Sequence, residues 1–217
     1  MRKIFLFVIL INTCGLLLSA QNKPVYPVPE FNNEINFLNK ENMTLVRLEK
    51  GSSKMESKAK MGGMGGGESG YILEESKSPV RIPGGSNFSF IYYTGTSHST
   101  TSATDSVMKA NGMDASMTSQ INTSMEMMND PSRKISLYNM NAEKGSRKIT
   151  IQAYQGMKIF GKSKKESNKY TLSIKKIKEG YYEMLVDKPL SKGEYAFTLM
   201  DLGSMDGSHL LFAFGVD

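Results

Sequence analysis

The sequence has no tryptophan, one cysteine and two histidines among its 217 residues. A lone cysteine excludes a disulfide framework within the chain and a zinc site built from cysteines. The two histidines, His98 and His209, leave little material for histidine-dependent catalysis or for a histidine-rich metal site. Chemistry based on cysteine or histidine is therefore not expected of this chain.

The first 20 residues have the pattern of an export signal. Arg2 and Lys3 precede an apolar run over residues 4–18, and Ser19-Ala20 supplies the small residues that a signal peptidase requires. The run of about 15 residues is shorter than the roughly 20 that a membrane-spanning helix needs. We predict cleavage after Ala20, which resembles the signal peptides of Gram-negative bacteria. An uncleaved anchor and lipidation at Cys14 are the alternatives.

Cleavage after residue 20 would place the mature protein in the periplasm, at the outer membrane or outside the cell. The mature chain would contain no cysteine, which suits an oxidising compartment because nothing can mispair. No transmembrane span is expected after removal of the signal.

The positive charge of the chain is mild and dispersed. There are 27 Lys and Arg against 21 Asp and Glu, a formal net charge of +6 at pH 7. The densest basic stretch spans residues 162–178, where lysines are interleaved with Glu166 and Tyr170. We interpret it as a solvated face that protects sheet edges, with contact to anionic glycan or lipid headgroups as the alternative. A nucleic-acid partner is not expected of an exported protein.

The rest of the chain has a β-rich pattern. Residues 21–30 contain three prolines and form an extended lead-in. Beyond them, apolar and polar residues alternate in short segments divided by turn residues, which predicts strands with one buried face. The predicted strands are residues 35–38, 45–48, 71–73, 80–82, 88–93, 135–140, 148–154, 170–177, 181–186, 194–200 and 210–216. Glycine-containing turns at residues 141–146 and 178–180 predict two hairpins.

This pattern predicts one all-β domain over residues 31–217. We expect an antiparallel β-sandwich of short strands. The sequence lacks the alternation of strands and long helices that would favour a parallel α/β sheet. An apolar fraction of 39% over this length suffices for a substantial core, which argues against disorder throughout.

The C-terminal third contains the most specific fold signal. Residues 187–193 turn a corner between two predicted strands, and Leu190, Gly193, Tyr195 and Phe197 follow in order. This arrangement resembles the tyrosine corner of immunoglobulin-like and fibronectin-like sandwiches, in which the tyrosine hydroxyl bonds to nearby backbone. The resemblance covers residues 181–216 and implies architecture, not function. It implies a structural role for Leu190, Gly193 and Tyr195; a generic β-meander is the alternative.

A Ser-, Thr- and Met-rich insertion at residues 96–131 interrupts the strand pattern. Apolar residues recur there at three- and four-residue spacing, which predicts one face of a helix. Asp114 is the predicted cap, and residues 129–131 end the run. The face is either packed on the sandwich or free to bind a partner. The candidate partner-binding residues are Met113, Met117, Ile121, Met125 and Met128.

No catalytic or metal-binding motif is complete in the sequence. Residues 61–67 are rich in glycine but lack the Gly-Lys-Ser/Thr of a phosphate-binding loop. Copper(I) is a conceivable soft ion for Met61, Met64, residues 125–128 and either histidine, but no tight motif joins them. We therefore expect no cofactor, no metal and no catalytic residue.

The sequence thus favours an exported, non-catalytic module that binds a protein or glycan partner or has a structural role in the cell envelope. The alternatives are a glycan hydrolase whose acidic groups converge only in the fold, and methionine-based copper(I) handling.

Overall fold

A computed structural model describes residues 25–59, 67–85, 88–95, 130–154, 168–199 and 208–217, together with 114, 116–117, 119–120 and 123–124. The predicted signal peptide, residues 1–20, lies outside these described residues. Two packed β-sheets form the framework of the described chain. No helix in these ranges is both long and apolar enough to cross a membrane.

The first sheet has five antiparallel strands. Their spatial order is β11 (Leu172–Lys178), β12 (Tyr181–Val186), β7 (Ser89–Tyr93), β1 (Glu34–Asn39) and β2 (Thr44–Arg47). The predicted hairpin at residues 178–180 joins β11 to β12.

The second sheet has nine strands. Its main path is β3 (Glu49–Lys54), β14 (Ser208–Val216), β13 (Gly193–Leu199), β8 (Ile135–Glu143), β9 (Ser146–Tyr154), β5 (Gly67–Glu74) and β4 (Glu56–Ala59). Off this path, β10 (Lys169–Tyr170) pairs with β8, and β6 (Arg81–Ile82) runs parallel to β14. A short helix, α1 (Pro131–Lys134), leads into β8.

The second sheet rolls until its two ends meet. β3 and β4 stand at opposite ends of the strand order, yet only Met55 separates them along the chain. β5 pairs with β4 and then passes beside β3, where the Ile72 N–H donates to Ser53 Oγ at 3.0 Å. One bent segment, residues 49–59, therefore closes the roll.

Two apolar clusters fill the structure, one on each side of β13 and β14. The larger lies between the two sheets and includes Phe90, Phe197 and Phe214. The smaller fills the roll and includes Tyr71 and Ile149. Because β13 and β14 are covered on both faces, apolar residues stand next to one another along them, over 195–197 and 210–214, rather than alternating with polar ones.

Single residues carry the chain from one sheet to the other. Leu48, which is buried in the main core, separates β2 in the first sheet from β3 in the second. Thr171 likewise separates β10 from β11. These crossings bind the edges of the two sheets together.

The lead-in covers the outer face of the first sheet. Tyr26 packs edge-on against Tyr181, with 5.8 Å between ring centroids. The Tyr181 hydroxyl donates to the Pro27 carbonyl oxygen at 2.7 Å, and Tyr26 donates to Glu183 at 3.1 Å. Residues 25–30 therefore shield a third small apolar cluster that includes Leu38 and Ile91.

The prediction of an antiparallel, all-β sandwich is confirmed, and each predicted strand overlaps an observed one. Two details were wrong. Residues 170–177 were predicted as a single strand, but the crossing at Thr171 divides them between the sheets. β3 and β4 were not predicted, because their side chains are mostly polar and exposed.

Candidate functional site

The insertion joins the two sheets. It follows β7 of the first sheet and ends at α1, which leads into β8 of the second. Asp114 Oδ1 accepts the N–H of Met117 at 2.8 Å, the bond of a helix N-cap. The described residues 116–117, 119–120 and 123–124 are helical. The predicted cap and a helical segment after it are therefore present.

Met117 is the one candidate partner-binding residue that the structure describes, and it is 58% exposed. A single exposed apolar side chain is ordinary on a protein surface, and Met117 is of interest because it belongs to the apolar face that the sequence predicts for this segment. Met113, Ile121, Met125 and Met128 lie outside the described residues.

The end of the insertion is fixed to the frame. Asp130 caps α1 by accepting the N–H of Ser132 at 2.9 Å, and the hydrogen bonds from Ser132 lower the pKa of this carboxyl. Pro131 occupies the first turn and is buried. Asp130 and Pro131, expected only to end a helix, thus begin another short one.

Tyr195 lies at the corner between β12 and β13, where the chain passes from the first sheet to the second. Its side chain is fully buried, and its hydroxyl donates to the Ser191 carbonyl oxygen at 2.8 Å. Leu190 packs in the main core just before this turn. Tyr170 approaches Tyr195 edge-on at 5.7 Å. Burial, followed by the hydrogen bond with Tyr195, raises the pKa of Tyr170 to about 12.

A chain of charged groups, which runs from the buried Arg147 to the exposed Asp217, closes one end of the roll, and no sequence pattern indicated it. Arg147, which is fully buried, binds Glu49 at 2.6 and 2.8 Å and lies 3.9 Å from Glu194. Glu194 binds Arg81 at 2.5 Å, and Arg81 binds Asp217 at 2.6 Å. The five groups alternate in sign, so each carboxylate faces a guanidinium.

The partners of the buried carboxylates keep them ionised. Burial acts to raise the pKa of Glu49, but hydrogen bonds from Arg147 and Ser78 bring it below the ordinary value. The pKa of Glu34 is lowered in the same way by Arg47 and Lys50, against the effect of burial. For Glu183, hydrogen bonds from Lys40 and Ser89 outweigh burial and lower the pKa. These groups accept hydrogen bonds and do not hold protons at neutral pH.

The described residues contain no group of three or more His, Cys, Asp and Glu side chains placed to hold a metal ion. Of the residues weighed for copper, Met61, Met64, His98 and residues 125–128 lie outside the described ranges. His209 is described, and its ring lies against Tyr71 with 4.9 Å between centroids.

No family model, curated protein or solved structure matches the chain. The function proposed below therefore depends on the geometry of this chain's own residues.

Proposed function

We propose that the protein is an exported, non-catalytic module that binds a protein or glycan partner through residues 97–130. The observation that carries this proposal is Met117, which is 58% exposed on a helical segment capped by Asp114. Methionine side chains are flexible and polarisable, so a surface made of them adapts to varied apolar partners. The two packed sheets supply the rigid frame on which binding segments are commonly carried.

The proposed contact surface is the apolar face that the sequence predicts for the insertion, a segment that is also rich in Ser and Thr. An apolar centre with a polar rim is the usual anatomy of a protein interface. The residues of this face are Met113, Met117, Ile121, Met125 and Met128.

The state of the buried carboxylates supports a non-catalytic role over glycan hydrolysis. A glycosidase needs a carboxylic acid whose pKa is raised so that it stays protonated. Glu34, Glu49 and Glu183 have lowered pKa values, because cations bind them. Their roles are structural.

Export and an immunoglobulin-like relationship of the C-terminal strands belong to the same proposal. The corner hydrogen bond from Tyr195 to Ser191 supports the architectural relationship. Export is tested by intact-mass analysis of the secreted or periplasmic protein. Removal of residues 1–20 is the expected result, and their retention would contradict cleavage.

The binding role is tested by recovering partners from envelope extract with three variants. In the first, a short Gly-Ser linker replaces residues 97–130. The second is Met117→Ser. The third, Met55→Ser, is a matched control, because Met55 is 50% exposed but lies between β3 and β4.

We expect the linker variant to lose the partner and Met117→Ser to recover less of it, while Met55→Ser recovers as much as the parent. Thermal unfolding of each variant establishes that the frame is folded. Recovery of the same partners by all four proteins, or of none by the parent, would contradict the insertion as a binding element.

A further inference from the structure

An open polar trough runs along one end of the second sheet. It consists of two grooves of about 480 and 420 Å³. Asn139 of β8 lines both grooves, and the consecutive residues Ser191 and Lys192 line one each. We call the two neighbouring grooves together the corner trough, because the corner between β12 and β13 contributes Lys188 and Ser191 to one and Lys192 and Gly193 to the other.

The corner trough carries a surplus of positive charge, because five cationic side chains line it and only two carboxylates do. Its two carboxylates, Glu194 and Asp217, are both bound by Arg81. Lys77 and Lys192 attract the Asp217 carboxylate electrostatically but form no salt bridge with it in the described part of the chain. In the described part of the chain, Lys169 and Lys188, which line the second groove, form no ion pair with a carboxylate. The four lysines and Arg81 therefore outnumber the two carboxylates and leave the trough with a net positive charge.

Hydrogen-bonding groups and one aromatic ring complete the lining. The side-chain amide of Asn139 is oriented by its 3.2 Å bond to the Glu194 carbonyl oxygen. Asn141 and Asn168 add two further amides, one in each groove. The ring of Tyr170 lines the second groove and is fixed edge-on against Tyr195.

We propose that the corner trough binds an acidic oligosaccharide. Lysines at several positions suit carboxylate or sulfate groups spaced along a chain, because exposed cations attract anions without requiring one fixed geometry. Amides and hydroxyls of the lining can form hydrogen bonds with the sugar hydroxyls between those groups. The ring of Tyr170 can pack against the apolar side of a sugar ring. Single-stranded nucleic acid fits less well, because its binding grooves stack successive bases on several aromatic residues. This site goes beyond the proposed role of the insertion.

The proposal is tested by titrating the full mature protein with four probes at low and moderate salt. The probes are a sulfated heparin-derived hexasaccharide, a hexamer of galacturonic acid, neutral maltohexaose and a single-stranded DNA oligonucleotide. The trough variant is Lys188→Gln/Lys192→Gln. The matched control is Lys58→Gln/Lys175→Gln, which removes the same charge from exposed strands outside the trough.

We expect at least one acidic hexasaccharide to bind, with affinity that falls as salt rises. The trough variant should bind about tenfold more weakly, as for the loss of one or two charged contacts, and the control variant less than twofold. Maltohexaose should not bind. Failure of both acidic sugars, equal weakening in the two variants, or tighter binding of DNA than of either sugar would overturn the proposal. None of these outcomes bears on partner recovery through residues 97–130, so the two proposals fail separately.

Discussion

The guanidinium of Arg147 in β9 donates two hydrogen bonds to the carboxylate of Glu49 in β3. Strand register places Arg147 opposite Leu73 and Glu49 opposite Ala213, and both of those apolar residues belong to the cluster inside the roll. The ion pair therefore lies on the inner face of the rolled sheet. A slip of one residue in either strand would leave a buried charge without its partner, so the pair helps to fix the register.

Removing one member of this pair should be strongly destabilising. In Arg147→Met the carboxylate of Glu49 stays behind without its main partner, and breaking such a pair costs about 3–5 kcal/mol. The double variant Glu49→Gln/Arg147→Met should recover a large part of that loss. Urea denaturation measures the free energy of unfolding.

Lys176→Met is the matched control for that measurement. Its ion pair with Glu179 spans 2.6 Å, but both side chains are more than half exposed, so the expected change is below about 1 kcal/mol. If Arg147→Met proves as stable as Lys176→Met, the buried pair does not hold the roll together.

The buried carboxylates should make the protein less stable in acid. The folded-state pKa of Glu49 is lowered from its ordinary value of 4.5: hydrogen bonds from Arg147 and Ser78 outweigh burial. The pKa values of Glu34 and Glu183 are lowered likewise. A lowered folded pKa adds stability that is fully present above the unfolded pKa and is lost as the pH falls through the folded pKa. Unfolding free energy should therefore be steady near neutrality and decrease below about pH 4.5.

Denaturation curves between about pH 3 and 7 check this dependence. Glu49→Gln should flatten the acid limb, whereas Glu41→Gln, in the exposed turn between β1 and β2, should leave it unchanged. A protein that gains stability on acidification would contradict the sign of the effect.

The strands predicted from the sequence are those that contain large apolar side chains, most of which are buried in the fold. Ile135 and Leu137 alternate with polar residues, because one face of β8 packs in the main core. β3 and β4 escaped prediction for the opposite reason. Main-chain hydrogen bonds hold Glu49–Lys54 and Glu56–Ala59 in the sheet, and main-chain pairing leaves no trace in residue type. The closure of the roll depends on these two strands, so it could not be foreseen.

The buried ions were beyond prediction for a related reason. Arg147 occupies an inward position of a strand, where an apolar residue is expected, and only the fold brings Glu49 to it across 98 positions of sequence. The corner position of Tyr195 could be predicted from the sequence, because a corner motif is local and its hydrogen-bond partner lies four residues away. The lysines of the corner trough come from three separate segments of the chain, and no window of sequence contains them together.

Tyr195→Phe should lower the free energy of unfolding without altering secondary structure. The substitution removes a hydrogen bond to the Ser191 carbonyl oxygen, a loss of about 0.5–1.5 kcal/mol. Tyr182→Phe is the control, because the Tyr182 hydroxyl forms no hydrogen bond with the described residues. Equal free energies of unfolding for the two variants would show that the corner hydrogen bond does not stabilise the fold.

The glycines of the two hairpin turns should differ in their tolerance of alanine. Gly145 and Gly180 both have positive φ, +82° and +67°, so a side chain at either costs about 1–2 kcal/mol. Nothing lies near the position of a Cβ at Gly145, whereas a Cβ at Gly180 would overlap the Gly95 carbonyl oxygen. The backbone at Gly95 and Gly180 cannot move apart freely, because the Thr94 N–H donates to the Gly180 carbonyl oxygen at 2.8 Å. This bond ties the turn to the end of β7. Gly180→Ala should therefore lose about 1–3 kcal/mol more than Gly145→Ala in urea denaturation. Equal losses would mean that the turn between β11 and β12 is not packed against the end of β7 as described.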